Sequence, residues 1–318
     1  MVSLPKMWVE EIGAGAGDDI FITKNPNKSL TLTPGSNSTS NIKRATIEIG
    51  PSISRESIRR RIIATYLAGY QYIRVIPSGS ELLTYQMGII RDLLHSTMIG
   101  TEIVESSSKS ISIQVLTGLP EIAFGVTIQR MHKMIMDMHR DAVRALVTGD
   151  RQLAEEVITA DDEIDRFALY VLRNLTMAIQ DTGMLRKMGL GGSADCLICR
   201  MVIYQMERVA DHAVLIARHT KDSMDARTRD AVSGMSDDAL GILDQVVRSL
   251  IEKDYHAAEA AADHIPVIIR KHKEAISILD TEIRLAIDSI GRTIEYSGDI
   301  AKAIIDRSVP GITARGEL

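Results

Sequence analysis

Two pairs of acidic residues, each with its members four positions apart, are the strongest candidates for chemistry in this sequence. They are Glu207 with Asp211 and Glu295 with Asp299. Residues four apart lie on the same face of a helix, so each pair would direct two carboxylates at one point. Carboxylate oxygens are preferred ligands of hard cations such as Mg²⁺, Ca²⁺ and Mn²⁺. The spacing therefore predicts a metal site, with acids on a solvated or Arg-paired helix face as the alternative.

A third pair with the same spacing, Asp161 and Asp165, lies one predicted helix before Glu207 and Asp211. Neighbouring helices of a bundle pack against each other, so these four carboxylates could converge. Glu207 and Asp211 share a stripe with apolar residues, so we expect them at the edge of the packed face. Without a cation, like charges at this spacing repel each other by about 0.2–0.5 kcal/mol per pair on an exposed helix.

Other motifs favour ordinary structural roles. Cys196 and Cys199 follow a Gly-rich turn at a helix start, but a thioredoxin-like site needs a βαβ context and a zinc site needs two more ligands. We therefore predict two small core residues. The Gly-rich turn at 189–192 lacks the preceding strand of a phosphate loop. The sequence contains no Glu-x-x-His pair and no plausible Ser/His/Asp or Cys/His arrangement, which predicts a protein that is not an enzyme.

The composition predicts a folded, soluble, mainly helical chain. Hydrophobic residues make up 45% and charged residues 25% of 318 residues, enough for about two domains. Aromatic residues are only 4% whereas Met occurs 15 times, which favours packed helices. The net charge of −5 argues against binding nucleic acid through bulk charge. Apolar runs stay well short of the roughly 18 residues of a membrane span. Two Cys cannot build a disulfide scaffold, so a reducing cytoplasm is expected.

Three stretches of different character follow one another along the chain. Residues 1–41 hold a helical turn, two short alternating strands and a linker rich in Pro, Gly, Ser and Asn. Residues 42–117 alternate strands and helices and end in a hairpin, which predicts a small α+β domain. Two antiparallel three-helix bundles are then predicted at 118–222 and 223–318. Their helices are predicted at 121–148, 151–182, 194–220, 224–252, 254–278 and 279–308.

The two three-helix sets, with the segment Glu-Arg-Val-Ala-Asp-His at 207–212 in the third helix, resemble the PhoU family of phosphate-uptake regulators. The resemblance covers residues 120–308. It implies two tandem bundles whose Glu/Asp-x-x-x-Asp motifs hold iron or another divalent or trivalent metal such as Zn, Mn or Mg. The positions that match these motifs are Asp161 and Asp165, Glu207 and Asp211 in the first bundle, and Glu295 and Asp299 in the second.

The same resemblance implies how such a protein works. We expect a cytoplasmic homodimer that restrains phosphate uptake through contacts with other proteins. The expected partner is a phosphate ABC transporter, which would hold the chain at the membrane periphery, or a phosphate-signalling sensor protein.

The second-helix motif of the second bundle departs from the family pattern. Asp263 keeps one acid, but Val267 stands where the second acid is expected, and Pro266 lies between them. A proline inside a helix removes a hydrogen bond and favours a kink. We therefore expect the first bundle to bind metal more strongly than the second, unless another ligand such as His264 completes the second centre.

The first 34 residues carry a second resemblance. Residues 3–9, followed by Gly17, Asp18 and two strands, look like the SpoVT/AbrB-type DNA-binding swapped hairpin, which precedes PhoU-like bundles in some archaeal regulators. The leading basic strand of that fold would lie before Met1, so the arm is predicted to be partial. The alternative function is a transcriptional regulator that binds DNA through this arm and uses the bundles as a sensor. A dimerisation or docking role for the arm stays open beside it.

Overall fold

The computed structural model describes residues 3–24, 28–34, 42–116, 123–221, 224–276 and 283–315. The chain divides into two compact units, Met1–Arg44 and Ala45–Leu318. The predicted turn at 25–27 and the predicted linker at 35–41 lie outside the described residues, as do the predicted domain boundaries at 117/118 and 222/223.

The first unit holds a short helix and a hairpin. Helix α1 spans Lys6–Glu11, and strands β1 (Ile20–Lys24) and β2 (Leu30–Pro34) pair antiparallel, with Lys24 opposite Leu30. Gly13 has a φ of 66°, a left-handed conformation that a glycine adopts without strain, and this ends the helical turn. The predicted β-hairpin is confirmed.

The second unit begins with an α+β layer, and its elements follow the predicted order of strands and helices. The first of its helices begins at Ser54, whose hydroxyl accepts a hydrogen bond from the Ser57 N–H at 3.2 Å as an N-cap. The elements are β3 (Arg44–Ile49), α2 (Arg55–Leu67), β4 (Tyr72–Pro77), α3 (Thr84–Thr97), β5 (Thr101–Ser106) and β6 (Ile111–Val115). The strands form one sheet in the order β3-β4-β6-β5, and β5 and β6 are the predicted hairpin.

Long helices make up the rest of the second unit, which confirms the predicted mainly-α fold class. The short helix α6 was not predicted; it begins where the Asp181 carboxylate accepts hydrogen bonds from the N–H groups of Gly183 (2.8 Å) and Met184 (3.1 Å). The helices are α4 (Phe124–Thr148), α5 (Arg151–Ala178), α6 (Thr182–Lys187), α7 (Ser193–Arg218), α8 (Ala226–Glu252), α9 (Tyr255–Ile276) and α10 (Arg284–Arg315). Within the described residues, no helix is both long and apolar enough to span a membrane.

The six long helices form two sets of three that share one hydrophobic core. Helices α4, α5 and α7 pack on one another, α8, α9 and α10 do the same, and α7 and α10 join the two sets. The Met131, Met138 and Ala142 row of α4 lies in this core, as the 3–4 spacing predicts. Cys196 and Cys199 are also core residues; burial raises the pKa of their thiols to about 11 and about 12, so both stay protonated and unreactive.

Arg173 connects the helical core to the α+β layer. This side chain of α5 is only 1% exposed, and its guanidinium donates a hydrogen bond to the backbone carbonyl of Tyr66 at the end of α2. The guanidinium also lies 4.7 Å from the centre of the Tyr66 ring, a cation–π contact. A cation at a helix C-terminus complements the negative end of the helix dipole. Arg173 therefore fixes α5 against the α+β layer.

We expect Arg173→Ala to lower the free energy of unfolding by about 2–4 kcal/mol, because it opens a cavity in a fully buried joint and removes the Tyr66 contacts. Arg173→Met, which refills most of the volume, should recover at least half of that loss. Urea-induced unfolding followed by circular dichroism measures both values. An Arg173→Ala protein that is as stable as the wild type would show that the joint does not depend on this residue.

Candidate functional site

Four of the six predicted acids come together where α5 packs against α7. Asp161 and Asp165 lie in the middle of α5 beside the buried Ile164, and Glu207 and Asp211 lie in α7 on either side of buried core positions. The core contacts of the two helices fix which faces meet, and the four acids lie at the edge of that contact. Asp161, Asp165 and Glu207 are half-buried, whereas Asp211 is exposed. We call these four residues the four-carboxylate cluster.

Burial and mutual repulsion raise the pKa of each acid in the four-carboxylate cluster. Partial burial, followed by the charges of Asp165 and Asp211, raises the pKa of Asp161 to about 7. Burial and then Asp165 and Asp211 raise that of Glu207 to about 7, and burial with Asp211 raises that of Asp165 to about 6. Burial also raises the pKa of Asp211, although His212 and Arg208 oppose the shift. The cluster therefore holds protons near neutral pH that ordinary carboxyl groups have lost.

One carboxylate oxygen in the cluster has no hydrogen-bond partner. The Oδ1 atom of Asp161 is buried and unpaired within the described part of the chain. Buried polar atoms of this kind are uncommon in folded proteins, and each calls for an unseen partner such as a proton, a water or an ion. Arg218 and Arg208 lower the pKa of Asp161 and Glu207 by their charges, but burial and repulsion outweigh them.

Arg208 and His212, which follow the two motif acids of α7, contact the second helical set. The Tyr296 hydroxyl of α10 lies 3.3 Å from Nε2 of His212, and the Arg208 guanidinium lies 5.7 Å from the centre of the Tyr296 ring. Arg208 thus contacts an aromatic ring on another helix. The four-carboxylate cluster is therefore short of positive counter-charge. The contact with Tyr296 was not predicted from the sequence. The only indication of it in the sequence is that Arg208 and His212 directly follow the acids at 207 and 211.

The remaining predicted acids lie elsewhere. Glu295 pairs with Arg292 at 2.6 Å, and Asp299 pairs with Lys302 at 3.3 Å, both within α10 and close to half-exposed. Asp263 and Val267 are exposed on α9, which continues through Pro266. The acids of α10 therefore have their own cations, the arrangement that the sequence left open as the alternative. Their role as metal ligands stays a prediction.

The donor set of the cluster fits a hard cation, although its present arrangement does not enclose one. Within the described ranges, no three or more His, Cys, Asp or Glu side chains are arranged so that they could hold a metal ion. The cluster nevertheless supplies four oxygen-bearing groups, raised pKa values and the unpaired Asp161 Oδ1 atom. A bound cation would give the Asp161 Oδ1 atom a partner and would remove the repulsion that raises these pKa values.

Comparison with known proteins gives a local match to a family and similarity to solved structures. Residues 128–220 match the PhoU domain. Solved structures of PhoU from Pseudomonas aeruginosa (19% identity, TM-score 0.49, covering 58% of this chain and 95% of that chain) and of the phosphate transport system regulatory protein PhoU from Streptococcus pneumoniae (18%, 0.44, 57% and 90%) are similar to the chain. No curated protein sequence matches it. The matched region contains all four residues of the four-carboxylate cluster.

We expect Asp161→Asn to stabilise the metal-free protein at pH 8 and to have little effect below pH 4. The folded-state pKa of Asp161, about 7, lies above its ordinary value of 3.8. The protonated carboxyl group therefore contributes its full stabilisation at pH values below 3.8, and this contribution is lost as the pH rises through about 7. After allowance for partial solvent exposure, the gain at pH 8 is on the order of 1 kcal/mol.

Urea unfolding at both pH values measures the gain, with chelator present throughout. Glu163→Gln, at an exposed position of the same helix whose charge does not act on the cluster, is the control and should change stability by less than about 0.5 kcal/mol. A less stable Asp161→Asn protein at pH 8 would mean that this carboxylate supports the fold in its charged form.

Proposed function

We propose that the chain is a PhoU-family regulator of phosphate uptake that acts by contact with other proteins. The observation that carries this proposal is the PhoU-domain match over 128–220, which encloses the four-carboxylate cluster. The absence of catalytic motifs from the sequence and the burial of both thiols, Cys196 and Cys199, agree with a regulatory role. The proposed partner is a phosphate transporter or a phosphate-signalling sensor protein, and the proposed location is the cytoplasm.

Under the same proposal, the four-carboxylate cluster binds a divalent or trivalent cation. Asp161 and Asp165 would hold it from α5, and Glu207 and Asp211 from α7. A cation between them would replace the protons that the cluster retains near neutral pH and would remove the repulsion among the acids. Its affinity should therefore fall as the pH drops below about 7, where protons begin to compete for the same oxygens, and further below about 6.

The bound cation would serve regulation by fixing a surface. With the repulsion relieved, α5 and α7 would present one defined arrangement of side chains to a partner. The second helical set would contribute less, because Glu295 and Asp299 already pair with Arg292 and Lys302. The difference in metal binding between the two sets is the part of the proposal that an experiment can test directly.

We expect Glu207→Gln/Asp211→Asn to abolish the stabilisation by metal, whereas Glu295→Gln/Asp299→Asn, the same chemical change in α10, should retain it. A ligand at one hundred times its Kd adds about 2.7 kcal/mol to the folded state, a rise in Tm of several degrees. Melting the three proteins with Mn²⁺ and with chelator measures this difference. Equal loss in the two variants would refute the asymmetry between the sets.

An experiment in cells tests the regulatory role separately. In cells that lack the gene, wild type and the α10 variant should restore restrained uptake of labelled phosphate. The α7 variant should be folded and abundant but should not restore it. Unchanged uptake on deletion of the gene would contradict phosphate regulation, and restored uptake by the metal-free α7 variant would contradict the role of the cation.

A further inference from the structure

Arg208 lies on α7 between two acids of the four-carboxylate cluster, Glu207 and Asp211, but it pairs with neither of them. Among the described residues, its guanidinium forms no ion pair. Burial raises the pKa of Glu207 and Asp211, and the positive charge of Arg208 opposes this shift only in part. Arg208 therefore lies near the cluster without neutralising it.

The spacing between Arg208 and Asp211 allows an ion pair. Arg208 stands three residues before Asp211, and residues three apart are neighbours on a helix surface. In α10 the same order and spacing bring Arg292 to 2.6 Å from Glu295. In α4, where the acid comes first, the same spacing joins Asp137 to Arg140 at 3.3 Å and Asp141 to Arg144 at 3.0 Å. Arg208 could thus reach Asp211, but it makes a different contact.

That contact is with Tyr296 of α10, in the second helical set. The Arg208 guanidinium lies 5.7 Å from the centre of the Tyr296 ring, within the range of a cation–π interaction. His212, one turn further along α7, has its Nε2 atom 3.3 Å from the Tyr296 hydroxyl, and the centres of the two rings are 5.5 Å apart. The Tyr296 ring therefore contacts α7 through two side chains, one on each side of Asp211.

We propose that Tyr296 is a positioning residue that holds Arg208 away from Asp211 and so keeps the four-carboxylate cluster available for a cation. Without the ring, Arg208 would turn to Asp211 and compete with the cation for the same carboxylate. An exposed cation–π contact corresponds to roughly a twofold to fivefold change in an equilibrium constant. The inference rests on the proposed function for the bound cation, whereas the position of Arg208 can be tested without metal.

A role of Tyr296 in packing alone predicts a different result. The ring also packs against the hydrophobic core, so its removal lowers stability in either case. That loss would be the same whether or not Arg208 is present. A change in cation binding that requires both side chains would follow only if the ring acts through Arg208, and a double-mutant cycle separates the two possibilities.

The position of Arg208 is tested first in the metal-free protein. The Nε–Hε NMR signal of Arg208, assigned by its absence from Arg208→Gln, should move in Tyr296→Leu and stay near its wild-type position in Tyr296→Phe, which keeps the ring. Asp211→Asn should shift this signal more in the Tyr296→Leu background than in the wild type, because Arg208 then pairs with Asp211. A signal that Tyr296→Leu leaves in place, or an Asp211→Asn effect that is equal in both backgrounds, would overturn the proposal.

Calorimetric titration of the full chain with Mn²⁺ tests the effect on binding, after circular dichroism has shown that each variant is folded. Tyr296→Leu should weaken Mn²⁺ binding about threefold, and Tyr296→Phe should match the wild type. Arg208→Gln should bind Mn²⁺ at least as tightly as the wild type, and Tyr296→Leu should have no further effect in that background. The control is Arg200→Gln, which removes the same charge from another Arg–Tyr contact of α7, with Tyr204 at 5.2 Å, and should leave the affinity unchanged.

The outcomes separate this inference from the proposed function. A wild type that binds no Mn²⁺ would overturn the proposed cation site and, with it, the effect of Tyr296 on binding. If the wild type binds Mn²⁺ but Tyr296→Leu does not weaken binding, the inference alone is wrong. It is also wrong if Tyr296→Leu weakens binding equally with and without Arg208, because the effect would then not pass through Arg208.

Discussion

Four carboxylates repel one another at the contact between α5 and α7, and this repulsion determines the chemistry of the candidate site. The core residues around Asp161, Asp165, Glu207 and Asp211 determine which helix faces meet, and packing leaves three of the four acids half-buried. Burial and repulsion then raise their pKa values, to about 7 for Asp161 and Glu207. The hydrophobic core keeps these acids close together against their own repulsion, so the cluster is prepared for a proton or a cation.

Asp195 is an acid of the same chain whose charged form supports the fold. Arg307 donates two hydrogen bonds to its carboxylate, at 3.1 and 3.0 Å, and the Gly191 N–H donates a third at 2.8 Å. Burial alone would raise the pKa of Asp195, but these hydrogen bonds hold it below its usual range. The pair joins the start of α7 to α10, so it connects the two helical sets. By contrast, burial and repulsion dominate in the four-carboxylate cluster, which fits a binding role better than a folding role.

Most of the architecture follows from local sequence signals. Five of the six long helices begin and end within four residues of the predicted positions, because apolar 3–4 spacing and breaks such as Gly149 determine them locally. The last helix, α10, lies at Arg284–Arg315 instead of the predicted 279–308. Helix α6 was missed because it is a single short stretch without apolar periodicity, marked only by the Asp181 cap. The convergence of Asp161 and Asp165 with Glu207 and Asp211 was predictable because neighbouring helices in a bundle pack together.

Two features could not be read from the sequence alone. Spacing alone does not tell an ion-paired acid from a free one, so the pairs of Glu295 and Asp299 with cations of α10 emerged only from the structure. The contact of His212 and Arg208 with Tyr296 requires the packing of α7 on α10.

The central claim is that the four-carboxylate cluster retains protons near neutral pH until a cation replaces them. Carboxyl ¹³C NMR titration of the metal-free protein, assigned with single Asp→Asn and Glu→Gln variants, tests it most directly. The account predicts midpoints near 7 for Asp161 and Glu207 and near 6 for Asp165, all of which fall when diamagnetic Mg²⁺ or Zn²⁺ is added. Midpoints near the ordinary carboxyl value of roughly 4 in the metal-free protein, or midpoints that neither ion shifts, would contradict it.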